Sequence, residues 1–320
     1  MSLLKSALAF SAAVIALGLG SAHAQTYPER PVEFIVPFAP GGGADASQRA
    51  FNKFAEPIVG KPLPIINKPG AGGATGWAEL VRAKPDGYTL AVITPPFSVL
   101  PAIVKPKQTG YTLDQFTNIC IYAVVPDVLL VREDSQFKTF ADLVKFAKEN
   151  PKKVKAANTG TLGADFMTTL MIENAADIEF TQIPFNSGAL GLQGLLAGTT
   201  EVMVASSLYA VAQKGAARTL AIATEQRDPM IPDVPTFKEL GFDVVSERFR
   251  AIAGPPGLPA EVVKYWEGVC KKVTENPDFK VEMDKAGQPV NFKDAAGFTA
   301  AIDKMIADTR ALAQKYKLIQ

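Results

Sequence analysis

Residues 32–93 alternate between apolar runs and amphipathic segments. The runs at 32–36 and 88–93 are rich in β-branched residues and predict buried strands. The segments at 47–54 and 77–84 have the apolar spacing of helices. Strands that alternate with helices form a parallel sheet with helices on its faces, so the expected fold class is α/β. Ligands bind such sheets at the carboxyl ends of strands.

The turn between the first strand and the first helix contains three consecutive glycines, at 41–43. A helix start has unpaired amide groups and a partial positive charge, and glycine lets a ligand approach the backbone. The turn is therefore a candidate seat for an anion, most simply a carboxylate, although an ordinary turn would use the same residues. It is not a dinucleotide fingerprint, because Ala46 stands at the third glycine position, and it lacks the Gly-Lys-Ser/Thr of a phosphate loop.

Residues 1–24 have the layout of a secretory signal peptide. Lys5 supplies the positive end, an apolar stretch covers 7–19, and small residues precede a cleavage site near Ala24. No later apolar run is long enough to cross a bilayer. We therefore expect an exported, soluble protein.

The composition excludes several functions. The single histidine, His23, lies in the predicted signal peptide, so the expected mature chain has no histidine base for a serine or cysteine hydrolase and no histidine metal ligand. The full sequence has 33 Lys+Arg and 32 Asp+Glu residues, and without Lys5 of the predicted signal peptide the charges balance, which disfavours nucleic acid or anionic lipid as a partner. We expect no metal and no cofactor.

Cys120 and Cys270 are the two cysteines of the chain. Two are too few for a disulfide scaffold or a thiolate metal site. In an oxidising compartment they form one bridge, or they remain two separate buried thiols, and the sequence leaves both possibilities open.

Three blocks of sequence, at 36–45, 67–73 and 84–90, carry a family resemblance. They read Val-Pro-Phe-Ala-Pro-Gly-Gly-Gly-Ala-Asp, Asn-Lys-Pro-Gly-Ala-Gly-Gly and Lys-Pro-Asp-Gly-Tyr-Thr-Leu. In this order and spacing they resemble the signature blocks of the Bug receptors, the extracytoplasmic solute receptors of the tripartite tricarboxylate transporter family. The resemblance extends over the whole mature chain.

The resemblance implies a type II periplasmic-binding-protein fold, with two domains that close on a ligand in the cleft between them. Each domain is expected to be a mostly parallel sheet flanked by helices. Residues 25–124 and 245–320 would form the first domain, and residues 125–244 the second. The implied ligands are small carboxylates, di- or tricarboxylates or aromatic acids, held largely by backbone amides. The implied partners are the large and small membrane subunits of the transporter. The receptor itself is expected to be a monomer.

Residues 155–165 repeat the pattern of a strand, a turn of small polar residues and glycine, and a helix. The resemblance implies that this turn faces the ligand cleft, although an ordinary turn that caps a helix would use the same residues. The residues expected to contact the ligand are Phe38, Ala39, Gly42, Gly43, Ala44, Asp45, Thr94, Thr159, Gly160, Thr161, Asp165, Asn186, Ser206 and Arg250. Asn186 and Ala205 stand where the family commonly has Lys and Asp, so contacts made by those two side chains cannot be transferred. The missing acid weakens the case for an amino-acid ligand, whose ammonium group needs a partner.

Arg250 matches an arginine that some family members have just before a Gly-Pro-x-Gly-x-Pro block. A guanidinium group can hold a carboxylate through two parallel hydrogen bonds, which suits the far end of a dicarboxylate. The alternative is structural, with Arg248 or Arg250 paired to Glu247 or to another acid near the domain junction.

A receptor that works without chemistry is the principal hypothesis for function. The first alternative is a secreted enzyme on the same fold, with Asp45 or Asp165 as its base. The second is a receptor whose ligand is a signal passed to a sensor protein.

Overall fold

The computed structural model describes residues 27–159, 162–185 and 187–319. The predicted signal peptide at 1–24 lies outside these ranges, as do Gly160, Thr161 and Asn186. In the part of the chain that is described, no helix combines the length and the apolar character needed to cross a membrane.

Strands and helices alternate along most of the described chain. The strands are β1 (Glu33–Val36), β2 (Ile65–Asn67), β3 (Thr89–Ile93), β4 (Thr117–Arg132), β5 (Lys155–Thr159), β6 (Thr181–Phe185), β7 (Val202–Ser206), β8 (Ala217–Ile222), β9 (Glu247–Gly254) and β10 (Val290–Lys293). The helices are α1 (Gly43–Val59), α2 (Ala74–Leu80), α3 (Val99–Val104), α4 (Pro106–Thr109), α5 (Phe140–Glu149), α6 (Ala164–Ala176), α7 (Gly188–Leu196), α8 (Ser207–Ala212), α9 (Ala260–Glu275), α10 (Pro277–Lys285) and α11 (Ala295–Lys315).

One long strand, β4, connects the two parts of a mixed sheet. Over residues 117–126 it pairs antiparallel with β9, and over residues 127–131 it pairs antiparallel with β7. The sheet order is β2-β1-β3-β9-β4-β7-β5-β6, and β8 and β10 also pair with β4. We call β1–β3, β9 and β10 with α1–α4 and α9–α11 the first half, and β5–β8 with α5–α8 the second half.

The parallel pairing expected of each half is present in its outer three strands. β1 pairs parallel with β2 and β3, and β5 pairs parallel with β6 and β7. The antiparallel strands β4 and β9 are added where the chain passes between the halves. β4 contains two apolar runs, at 119–125 and 128–131, on either side of Pro126. The strand continues through Pro126, which lies where its pairing partner changes from β9 to β7. The division into domains at residues 125 and 245 stays a prediction.

The helices follow local signals in the sequence. Thr139 caps α5 by accepting from the Asp142 amide, and the Asp142 side chain accepts from the Thr139 amide. The helix predicted at 77–84 begins three residues earlier, at Ala74, because Gly73 (φ +105°) completes the turn before it.

Each half has its own buried core. Trp77 and Trp266 are fully buried in the first half. Phe140 and Phe237 lie in the core of the second half, with rings packed edge to face. A disulfide joins Cys120 on β4 to Cys270 on α9. Of the two possibilities that the sequence left open, the cysteines therefore form the bridge and are not separate thiols.

Candidate functional site

Two arginines of β9, Arg248 and Arg250, lie at the centre of the candidate site. Residues two apart on a strand point to the same face of the sheet, so both guanidinium groups enter the same region. The Arg248 side chain is 11% exposed, and Arg250 is 8% exposed. Burial of a cation is costly unless it has partners, so the partners of each arginine indicate its role.

Arg248 forms a buried ion-pair network. Its guanidinium lies 2.5 Å from Asp127 Oδ1 and also contacts Asp165. The hydroxyls of Thr168 and Ser246 donate to Asp127 Oδ2, at 2.6 and 3.0 Å. Burial alone would lower the pKa of Arg248, but the two carboxylates outweigh it and raise that pKa above its usual value. Because Asp165 lies in the first turn of α6, the network ties the second half to β9.

Arg250 has a neutral partner instead. Its Nε donates to Gln288 Oε1 at 2.7 Å, and Gln288 Nε2 donates to the Gly43 carbonyl at 3.1 Å. Across the described ranges, no carboxylate forms an ion pair with Arg250. Burial lowers the pKa of Arg250 to about 10, so the guanidinium is still charged at neutral pH. Arg250 is therefore a buried cation that has no carboxylate partner in the part of the chain that the structure describes.

The Arg250 guanidinium faces the first turn of α1. A Cβ placed on Gly43 would lie 3.4 Å from Arg250 Nη2, so the missing side chain keeps this space open. No side chain caps α1, whose N-cap residue is Gly42. The first amides of a helix have no partner within the helix and carry partial positive charge. The helix start and the guanidinium therefore both favour an anion at this place.

Thr94 lies beside the arginine. β3 pairs antiparallel with β9 as far as Ile93 opposite Ala251, and one further step along this register sets Thr94 opposite Arg250. Opposite residues of antiparallel strands share a face. Thr94 is 1% exposed, and its hydroxyl has no hydrogen-bond partner among the described residues. Since a buried hydroxyl without a partner is costly, a ligand or water is expected to bind it.

The predicted site residue Asp45 holds the glycine turn together. Its carboxylate accepts hydrogen bonds from the Gly41 amide at 2.8 Å, from Arg49 at 2.9 and 3.0 Å, and from Asn67 Nδ2 at 2.9 Å. Burial raises the pKa of Asp45, but the hydrogen bonds from Arg49, Asn67 and Gly41 outweigh it and lower that pKa overall. Asn67 Nδ2 also donates to the Phe38 carbonyl at 3.0 Å, so the sequence blocks at 36–45 and 67–73 are joined through these contacts.

An aromatic wall lies behind the turn. The Phe38 ring packs edge to face on Trp77 and on Phe97, with ring centroids 6.0 Å apart in both pairs. Phe97 in turn lies 5.8 Å from the Arg248 guanidinium. Ala39 is exposed and Ala44 is buried, and the Ala39 carbonyl lies 3.5 Å from the Gly42 amide. The contact of Phe38 with the apolar part of a ligand stays a prediction.

The second half contributes residues next to Arg248. Thr159 ends β5, and Gly163 caps α6 without a side-chain hydrogen bond. Asp165 is held by Arg248, and Ser206 is the residue before α8 and pairs with Asp127 in the sheet. The predicted contacts at 160, 161 and 186 lie outside the described residues. The structure therefore brings Asp165, Arg248 and Arg250 together, while Asp45 is engaged in the turn of the first half.

Three residues that we did not predict from the sequence also belong to this region. Gln288 lies 245 residues from its partner Gly43, and no motif marks it. Leu208 of α8 packs against Gly287, where an added Cβ would lie 2.9 Å from Leu208 Cδ1. This contact joins the two halves next to the site. The sequence carries no signal for these contacts, because they form only when distant elements pack against each other in the fold.

The donors around the site suit an anion better than a cation. Backbone amides, the Thr94 hydroxyl and the Arg250 guanidinium all donate hydrogen bonds. Within the described ranges, no three carboxylate, cysteine or histidine groups come together as a metal site would require.

Comparison with known proteins identifies the family. The sequence profile of the tripartite tricarboxylate transporter family receptor matches residues 48–318. The chain belongs to this receptor family. A relative from Cupriavidus necator, a UPF0065 protein in the gbd 5' region, is 27% identical over 314 residues, which cover 96% of the receptor chain and 95% of the relative.

Solved structures show the same fold. The receptor matches the structure of the periplasmic binding protein BugD with a TM-score of 0.77 and 28% identity, over 91% of the receptor and 99% of BugD. It matches MatC from Rhodopseudomonas palustris with bound malate with a TM-score of 0.77 and 24% identity, over 89% and 99% of the two chains. The receptor thus has the two-domain periplasmic-binding-protein fold that the three sequence blocks predicted.

Proposed function

We propose that this receptor binds a small carboxylate, a di- or tricarboxylate, between its two halves in the periplasm and delivers it to the membrane subunits of a tripartite tricarboxylate transporter. One observation carries the proposal. Arg250 is a buried cation that faces the open first turn of α1 and has a neutral amide as its side-chain partner. A ligand carboxylate at this place would supply the missing negative charge and bind the helix amides.

The comparisons support a carboxylate as the ligand. The family is named for tricarboxylates, and the related fold of MatC was solved with malate, which has two carboxylates. An acid with more than one carboxylate can bind the α1 turn through one group and reach the second half through another. Thr159, Gly160, Thr161, Asn186 and Ser206 are the contacts that we propose on that side.

Closure of the two halves follows from a ligand that touches both. The ligand makes its full set of contacts only when the halves are together, so binding shifts the population toward the closed arrangement. The contact of Leu208 with Gly287 lies between the halves and is expected to form on closure. No covalent step is part of this mechanism.

A ligand screen tests the proposal. We would unfold and refold the mature receptor to remove copurified ligand, and then measure its melting temperature with succinate, malate, adipate, citrate and benzoate. A binding acid should raise the melting temperature, and at equal concentration a tighter-binding acid should raise it more, because the acid stabilises only the folded state. Equal concentrations of glucose and alanine are the controls. No increase with any of these acids would contradict the proposal.

Two further measurements separate the alternatives. Mass spectrometry of the acid after long incubation should recover it unchanged, whereas an enzyme on this fold would convert it. Uptake of the radiolabelled acid into vesicles that contain the two membrane subunits should require the receptor. Uptake that is independent of the receptor would favour a role as a ligand sensor.

A further inference from the structure

Gln288 is held rigidly by its own backbone. Its amide donates to the Met283 carbonyl at 2.9 Å, and the carbonyl of the next residue, Pro289, accepts from the Val124 amide at 3.1 Å. Gln288 is 4% exposed, so its side chain has little freedom to move. The turn between α10 and β10 therefore presents this side chain to the site in one fixed position.

The chemistry of an amide suits the position between Arg250 and Gly43. Gln288 Oε1 accepts from Arg250 Nε, while Nε2 donates to the Gly43 carbonyl. An ionised carboxylate would accept from the arginine equally well, but it could not donate to Gly43. It would also cancel the arginine charge in a buried ion pair. Glutamine fixes the guanidinium and leaves its charge available.

The neighbouring arginine shows the contrast. Arg248, two residues away on the same strand, contacts two carboxylates, those of Asp127 and Asp165. Both arginines are buried, so the difference does not come from exposure. It comes from the partner that each one has, an acid for Arg248 and an amide for Arg250.

We propose that Gln288 is a positioning residue that holds Arg250 against the first turn of α1 with its charge free, and so sets the affinity of the site for carboxylates. This inference rests on the proposed function. It assigns Gln288 no contact with the ligand, because its two polar atoms are both engaged by the protein.

A double-mutant cycle tests the inference. Affinities for succinate, adipate and citrate would be measured by calorimetry on the refolded receptor, on Gln288→Met, on Arg250→Met and on the double variant. We expect each single variant to bind about 10- to 100-fold more weakly, the range of a hydrogen bond to a charged group. The double variant should bind no more weakly than Arg250→Met, because Gln288 acts through Arg250. A loss in the double variant equal to the product of the two single losses would overturn the inference.

Further variants separate charge and position from folding. Gln288→Met has a similar size and no charge, so it should lose less affinity than Gln288→Glu, which also neutralises the arginine. The opposite order would overturn the inference. Gln108→Glu introduces the same charge at an exposed position and should leave affinity unchanged. Melting of each ligand-free variant shows whether it is folded.

The outcomes for this inference and for the proposed function differ. If the unmodified receptor binds none of the acids, the proposed function is wrong and the inference falls with it. If the unmodified receptor binds an acid and Gln288→Glu binds it equally tightly, only the inference is wrong.

Discussion

Arg248 and Arg250 lie two residues apart on one face of β9, yet within the part of the chain that the structure describes only Arg248 has carboxylate partners. Arg248 neutralises the buried carboxylates of Asp127 and Asp165, at the place where the chain passes between the halves. Arg250 is left with a neutral amide beside an uncapped helix start. The two positions therefore predict opposite effects of mutation on stability.

Replacement of Arg250 by methionine should make the ligand-free receptor more stable while weakening ligand binding. The substitution removes a buried cation that has no carboxylate partner among the described residues, and the depressed pKa of Arg250 corresponds to a cost on the order of 3 kcal/mol. Urea unfolding of the ligand-free protein measures this change. Arg310→Met, at an exposed position on α11, is the control and should be neutral. A clear loss of stability in Arg250→Met would contradict this account.

Replacement of Arg248 by methionine should destabilise the receptor by about 3–5 kcal/mol, because it leaves the buried acids Asp127 and Asp165 without a cation. The matched control is Arg227→Met, which breaks an exposed ion pair with Glu239 and should cost less than about 1 kcal/mol. Urea unfolding at neutral pH measures both. If the two substitutions lowered the free energy of unfolding equally, the buried pairs of Arg248 with Asp127 and Asp165 would contribute no more to stability than an exposed ion pair.

Replacement of Gly287 by alanine should weaken ligand binding by opposing closure. The added Cβ would lie 2.9 Å from Leu208 Cδ1 and 3.2 Å from its Cα, across the contact between the halves. Gly60→Ala is a close control, because Gly60 has a similar left-handed conformation (φ +69° against +63°) but no atom within 4 Å of the added Cβ. Both variants bear the backbone strain, about 1 kcal/mol. Calorimetry should therefore show weaker binding only for Gly287→Ala.

Glu173 predicts a pH dependence of stability. Burial raises its pKa from 4.5 to about 7, although the Phe180 amide and Gln182 donate to its carboxylate. Between pH 4.5 and 7 the folded state therefore holds a proton that the unfolded state has lost. Stability should fall as pH rises through this window, by up to about 1.4 kcal/mol per pH unit, and the fall should end above pH 7.

The variant Glu173→Gln isolates this effect, because glutamine does not titrate. Its free energy of unfolding, measured in urea at pH 5, 6, 7 and 8, should change less with pH than that of the unmodified receptor. Parallel curves for the two proteins would assign the pH dependence to other groups.

Reduction of the disulfide between Cys120 and Cys270 should destabilise the receptor. The bridge closes a loop with a sequence separation of 150, and chain entropy for such a loop corresponds to about 4–5 kcal/mol. Urea unfolding with and without dithiothreitol measures the loss. The double variant Cys120→Ala/Cys270→Ala is the control, and dithiothreitol should not change its stability further.

Local signals in the sequence predicted most of the fold. The strands predicted at 32–36 and 88–93 and the helix predicted at 47–54 each depend on residues that are close in the chain. The three blocks at 36–45, 67–73 and 84–90 extended this to the family, which the sequence profile confirms. Helix starts were less accurate, because they depend on the glycine turns before them.

The choice between Arg248 and Arg250 could not be made from the sequence. The acids that contact Arg248 lie 121 and 83 residues away in the chain, and Gln288 lies 38 residues from Arg250. Spacing carries no information about such contacts, because they arise only when β4, α6 and β10 come together around β9. The ligand contacts themselves stay predictions, and those at 160, 161 and 186 concern positions outside the described residues.

The path of β4 through both halves sets an order in which the receptor can assemble. The strands of the second half, β5–β8, and the strand β4 with which they assemble all lie between residues 117 and 222, in one uninterrupted segment of the chain. The first half still needs β9 and β10, from beyond residue 246, and Cys270 for its covalent link. If the chain crosses the inner membrane with its amino end first, all strands of the second half emerge before β9 and β10. The second half can therefore fold before the first half has all of its strands. Arg250 and Gln288 both belong to the segments that the first half still lacks at that stage, on β9 and in the turn before β10.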